Sequence, residues 1–168
     1  MIYLGLDAST TTVGYAYTDE NKSILKSGFI DISGFTTIRD KVHAVLAELN
    51  LHDEFKLIEC VVLESALSGF MGGRTRQQTI ILLAKMNATL EYVLQETAKK
   101  TVKLVNVSTA RKQAFGKARI AGLKSKEYVK QKIESMFDYT KFQIMNKKNL
   151  PDKRMEDVYD AIVLSLYR

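Results

Sequence analysis

The 168-residue chain is 46% hydrophobic and 26% charged, with nine glycines and one proline, a composition that supports one ordinary globular core and gives no support to a disordered, collagen-like or proline-rich chain. Cys60 is the only cysteine and the chain has two histidines, His43 and His52, which excludes an intrachain disulfide, argues against a Cys/His zinc site and leaves oxygen ligands for any metal. The net charge of +6 is unevenly spread: residues 1–98 carry −4, residues 99–154 carry +12 and residues 155–168 carry −2, so the middle segment suits a polyanion, nucleic acid first, with a solubilising lysine-rich face as the plainer alternative.

No apolar run reaches the roughly 20 residues of a bilayer span, and the opening MIYLGLDAST is interrupted by Asp7 and has no basic leader. The expectation is one domain over 1–168, cytoplasmic, with no membrane partner. In chain order, IYLGL, VGYAY and ILKSGFI read as three strands of an antiparallel meander, the second turn falling on Asp19-Glu20-Asn21-Lys22. From Thr36 to Leu51, Ile38, Val42, Val45, Leu46 and Leu49 recur at helical spacing. LIECVVL, residues 57–63, is nearly continuous apolar sequence and reads as a central strand buried on both faces. A glycine-rich loop around Gly69, Gly72 and Gly73 precedes a helix from Arg74 to Lys99, with Leu83, Asn87, Leu90 and Leu94 on one stripe. VKLVNV is a further strand, Ser108 and Ser125 are candidate N-caps of two basic helices, residues 139–150 read as loop, and Pro151-Asp152 opens a final helix running to the C-terminus. The order βββαβαβααα predicts an α/β domain with a mixed sheet.

Carboxylates carry the chemistry in this pattern. Asp7 ends the first apolar strand and Glu64 ends CVVL; if those strands are parallel neighbours, both acids lie at the edge where open α/β sheets place ligands. On the final helix Asp157 and Asp160 are three residues apart, and three steps of about 100° leave them about 60° apart on one side. Four converging carboxylates repel one another, and one or two divalent cations with oxygen ligands are the usual remedy. Each acid also has a plainer role: Asp7 and Glu64 as turn or loop residues, Glu156 and Asp157 as helix-dipole partners in a first turn. Asp160 lies deeper in its helix and is the more diagnostic, whereas nothing places Glu59 with the others and it reads as structural.

LGLDASTTTVGYAY, VVLES, a long helix, basic helices and EDVYDAIVLSLY, taken in order over nearly the whole chain, resemble the RuvC-type Holliday-junction resolvases of the RNase H-like superfamily, the compact form being more similar to phage-encoded members. The resemblance implies an RNase H-like mixed five-stranded sheet, an antiparallel meander plus two parallel strands, flanked by helices. It implies two Mg²⁺ ions, with Mn²⁺ able to substitute, held by Asp7, Glu64, Asp157 and Asp160. It further implies a homodimer that makes paired nicks in four-way junctions and other branched DNA, leaving 5′-phosphate and 3′-hydroxyl ends. Lys112 and Lys126, with Lys124 as the alternative to Lys126, fall where the family keeps basic residues near the cleaved phosphate. Phe70 is the candidate for the family's junction wedge, or else folds back onto an apolar surface or a dimer contact, and Arg74 and Arg76 beside it are further DNA-binding candidates. Whether a helicase-type partner takes part is not specified.

Three other readings compete. LGLDASTTT alone would suit a kinase- or actin-like ATPase, but such proteins need a second comparable domain, for which 168 residues leave no room. A non-catalytic nucleic-acid-binding protein of the same fold leaves the four carboxylates unexplained. A YqgF-like nuclease acting on RNA keeps the fold and changes the substrate.

Overall fold

The computed structural model describes residues 1–65 and 77–168. Ile2–Ala8 (β1), Thr12–Asp19 (β2) and Ile24–Asp31 (β3) form the antiparallel meander. The Ser-Thr-rich stretch after Asp7 is its first turn: the Ser9 hydroxyl donates to the Thr12 carbonyl (2.9 Å) and accepts from the Thr12 N–H (3.0 Å), a local closure that short hydroxyl side chains favour. The second turn falls as expected, with Lys22 at φ 66° and its N–H bonded to the Asp19 carbonyl. Helix α1, Ile38–Asn50, and the short α2, Asp53–Leu57, lead into β4, Ile58–Glu64, which runs parallel to β1. Helix α3, Gln77–Glu96, returns the chain to β5, Thr101–Val105, parallel to β4. The sheet order is β3-β2-β1-β4-β5, so β1 is the middle strand and β4 lies inside the sheet beside it.

Both faces are covered, the arrangement a sheet with parallel strands requires. One face packs Leu4, Leu6, Val13, Tyr17, Val61 and Leu63 against α1 and α3, whose buried stripe is Met86, Asn87, Leu90 and Leu94, with Leu83 only partly covered. The other packs Ala16, Cys60, Val62 and Val105 against α4 (Val107–Phe115), α5 (Ser125–Met136) and α6 (Met155–Ser165). Two glycines let α6 rest directly on the strands. A Cβ on Gly5 would come 2.1 Å from the Ala161 carbonyl oxygen, and one on Gly14 would come 2.2 Å from that of Asp157.

The helix starts differ from the expectations. Asn106, not Ser108, caps α4: its side-chain oxygen accepts from the Ser108 N–H (2.8 Å), so the preceding strand stops at Val105 and Val107 is already helical. Ser125 is the first residue of α5, not its cap, because its hydroxyl is taken by Arg111; Lys124 holds the cap position without a side-chain bond. Pro151 does not open α6 but bridges Met145 across a small hairpin. Asp152 then accepts from the Arg154 backbone N–H (2.9 Å) and side chain, while that guanidinium also reaches Asp31 (2.9 Å) and lies 4.0 Å over the Phe29 ring. This clamp delays α6 to Met155. At its other end α6 stops at Ser165, whose carbonyl accepts from Thr18 and Arg168. Residues 139–150 are irregular except for a 3-10 turn at Tyr139–Lys141.

Candidate active site

The parallel pairing of β1 with β4 matches Leu6 to Leu63, so one step further Asp7 and Glu64 stand side by side at the strand ends. Glu64 is held from behind: the Asn87 amide of α3 donates to its backbone carbonyl (2.8 Å), which explains a polar residue on the apolar stripe of that helix. The two carboxyl groups lie within hydrogen-bond reach of each other. Burial first, then the charge of Glu64, pushes the Asp7 carboxyl well above the usual range, and burial likewise raises Glu64. The pair therefore retains a proton that separated carboxylates would have lost.

Helix α6 brings the second pair to the same end of the sheet, because Gly14 lets its first turn sit on β2 beside Asp7. Burial raises the Asp157 carboxyl to about 6, against the opposing field of Lys126. The charges of Asp157 and Asp160 both reach Asp7, and that of Asp160 reaches Glu64. The four acids predicted from sequence thus lie at one end of the sheet, near enough for their charges to act on one another, with exposed Glu156 bonded to Lys126. Glu59, on β4, is exposed.

Of the predicted basic residues, Lys126 lies at the acidic helix, bonded to Glu156 and within the field of Asp157 and Asp160. Lys112 and Lys124 are exposed, on α4 and at the start of α5. Phe70, Arg74 and Arg76 lie outside the described residues. Arg111 is not among the residues the sequence singles out, yet it reaches the centre of the site. Its Nη2 donates to Asp160 Oδ1 at 2.7 Å, Nη1 donates to the Ser125 hydroxyl, and the side chains of Arg111 and Asp160 are only 10% and 18% exposed. A signal was present: Val107, Ala110 and Ala114 form the inward stripe of α4, and Arg111 stands on that stripe while Lys112 faces water.

All four acids are hard oxygen donors suited to Mg²⁺ or Mn²⁺. Among the described residues, no three acidic, histidine or cysteine side chains are gathered tightly enough to hold one ion as they stand, and Asp160 is committed to Arg111. The donor set fits divalent cations, and the side-chain arrangement is that of a site whose charge is balanced by a shared proton and by basic residues.

A five-stranded mixed sheet of this order with helices on both faces is the RNase H-like fold. Among solved structures the chain is similar to Thermus thermophilus RuvC in complex with Holliday junction substrate, at TM-score 0.67 and 16% identity over 99% of this chain and 91% of that one. It is also similar to the yeast mitochondrial Holliday junction resolvase Ydc2, at TM-score 0.60 and 15% identity over 98% and 75% of the two chains. The fowlpox virus resolvase with substrate Holliday junction DNA gives TM-score 0.53 and 15% identity over 99% and 95%. No family model and no curated protein matches the sequence. Among the described residues no helix is long and apolar enough to cross a membrane.

Proposed function

We propose that the protein is a metal-dependent endonuclease of the RuvC type that resolves four-way DNA junctions, acting as a homodimer with one acidic site per subunit. The observation that carries this reading is the convergence of Asp7, Glu64, Asp157 and Asp160 at one end of the sheet, next to a segment of net charge +12. The fold shared with three junction resolvases supports the choice of substrate. Asp7, Glu64, Asp157 and Asp160 would hold two Mg²⁺ ions, which when bound supply the Lewis acidity that activates a water and stabilises the leaving 3′ oxygen.

The chain's own residues divide the remaining work. Asp7 and Glu64 are fixed by sheet register and by Asn87, so the distance between them is set by backbone and not by side-chain choice. Asp157 and Asp160 depend on how closely α6 approaches β1 and β2. Lys126, beside Asp157, is placed to meet the phosphate at which charge develops, and the exposed lysines of α4 and α5 track the duplex arms. Water attacking phosphorus with loss of the 3′ oxygen leaves a 5′-phosphate and a 3′-hydroxyl.

Labelled four-way, three-way and linear DNAs, and the same four-way junction built of RNA, incubated with Mg²⁺ or with EDTA, test the reading. Paired nicks confined to the branched DNA and abolished by EDTA are expected. Cutting that survives EDTA, or equal attack on the linear duplex, would overturn it, and preference for the RNA junction would move the protein to the RNA-cleaving class.

A further inference from the structure

Arg111 is an unusual side chain to find inside this domain. It occupies the inward stripe of α4, it is nine-tenths buried, and among the described residues its Nε–H has no hydrogen-bond partner. Burying a guanidinium is costly unless its N–H groups are all used, and a purely structural ion pair would use them. Here the two terminal nitrogens are divided between two elements: Nη2 goes to Asp160 of α6 and Nη1 to the Ser125 hydroxyl at the start of α5. The positive field extends beyond Asp160 to Glu64, which it opposes in its tendency to hold a proton. One cation is therefore inserted from the basic segment into a cluster of four acids.

We propose that Arg111 is a resident counter-cation of the acidic centre, holding Asp160 until a divalent ion takes its place. The inference rests on the metal-dependent reading above. A guanidinium and a divalent ion repel each other and compete for one carboxylate, so each must weaken the binding of the other by the same factor. Arg111 thus does two things. It compensates the Asp160 carboxylate in the metal-free site, and it lowers the affinity of the site for metal. Ser125 acts through Arg111 as a positioning residue, since its hydroxyl fixes the end of the guanidinium that does not touch Asp160.

Calorimetric titration of Mn²⁺ into the parent, R111M, R111K and S125A, together with the melting temperature of each in EDTA and in saturating Mn²⁺, tests this without any measurement of cutting. R111M should bind Mn²⁺ more tightly, by about fivefold or more, the lower end of ordinary coupling between linked sites. Its melting temperature should fall in EDTA and recover in Mn²⁺. R111K, which keeps the charge, should bind close to the parent. S125A loses one exposed hydroxyl and should fold; it should shift affinity in the same direction by less, and it decides the matter if R111M does not fold. A role confined to holding Asp160 in place predicts the opposite sign. Mn²⁺ binding by the parent that S125A and R111M weaken or leave unchanged would overturn the inference alone. A parent that binds no Mn²⁺ would overturn the metal-dependent reading and this inference with it.

Discussion

Asp7 and Glu64 stand at the ends of neighbouring parallel strands and make no ion pair with a basic side chain among the described residues, whereas Asp157 and Asp160 stand on a helix that packs against the basic α4 and α5. The proton affinities of Asp7 and Glu64 are both raised, Asp7 by burial and then by its acidic neighbours, Glu64 chiefly by burial. Asp160 is paired with Arg111, and Asp157 feels Lys126. The strand pair is thus balanced by a retained proton and the helix pair by basic side chains. The comparison shows that the segment of charge +12 is not only an outer surface, because one of its arginines is built into the acidic centre.

The largest expected effect comes from removing a member of the strand pair. Glu64→Gln or Asp7→Asn should reduce cutting by on the order of 10³-fold or more while leaving junction binding intact, since neither touches the basic surface. Near-normal nicking at matched Mg²⁺ would remove the residue from the catalytic set. Because each change also relieves repulsion, the metal-free variant should melt above the metal-free parent, by about 2–4 °C for each kcal/mol relieved. If the helix pair is already compensated, Asp160→Asn should give no such gain, as it leaves the Arg111 charge buried without its partner.

Next in size is a change that moves one pair against the other. In Gly14→Ala the new methyl would meet the Asp157 carbonyl, so α6 must lift from β2 and carry Asp157 with it. The overpacking should lower stability by about 1–3 kcal/mol, seen in chemical denaturation, and weaken Mn²⁺ binding in the protein that remains folded. Unaltered stability would mean that α6 can settle elsewhere and that the close approach does not set the site.

Acidity separates the pairs from the clamp before α6. A carboxyl whose folded-state pKa is raised stabilises the fold when protonated, and that contribution is lost as pH rises through the folded value. For Asp157, raised from 3.8 to about 6, the metal-free protein should lose stability as pH climbs from about 4 through about 6, and Asp7, raised in the same direction, contributes a loss of the same sign. Asp152, lowered to about 2 by Arg154, has the opposite sign: its contribution is present above 3.8 and disappears only as pH falls through about 2. Thermal melts in EDTA across this range should therefore show a maximum on the acid side of neutrality, and Mn²⁺ should abolish the decline above it. A metal-free melting temperature that rises steadily to pH 7 would show that the acids are not crowded.

Much of this was legible in the sequence because period and position are local. Alternation gave the meander, the continuous apolar run gave β4, and an acid at the end of each of two strands gave Asp7 and Glu64. Asp157 and Asp160 followed from helical spacing. What sequence misplaced were the helix starts, since several polar residues compete for each cap: Asn106 takes the cap from Ser108 and Arg154 binds Asp152 two residues before it, both local contacts, while the Ser125 hydroxyl is taken by Arg111 from another helix. Arg111 itself was hidden by its neighbour. A basic residue beside a lysine reads as surface, and its place on an inward stripe becomes meaningful only when α4 is seen to pack on α6.

The smallest expected effect distinguishes the inner cation from the outer ones. Lys112 is exposed and, among the described residues, makes no ion pair, so its contribution should be that of a phosphate contact alone. Lys112→Ala should then reduce the slope of log affinity against log salt by about 0.9 on duplex arms and leave metal binding and the acid-side stability profile unchanged. Lys126 is tied to Glu156 and opposes proton retention by Asp157. Lys126→Ala should lower the salt slope by no more than Lys112→Ala does, because Glu156 already neutralises part of its charge. It should also allow Asp157 to hold its proton to higher pH, moving the decline in metal-free stability toward neutrality. Salt titrations by fluorescence anisotropy and melts in EDTA on the two variants separate these outcomes. Equal salt slopes with no shift in the pH profile would return Lys126 to the outer surface and leave Arg111 as the one basic side chain shown to act on the acids.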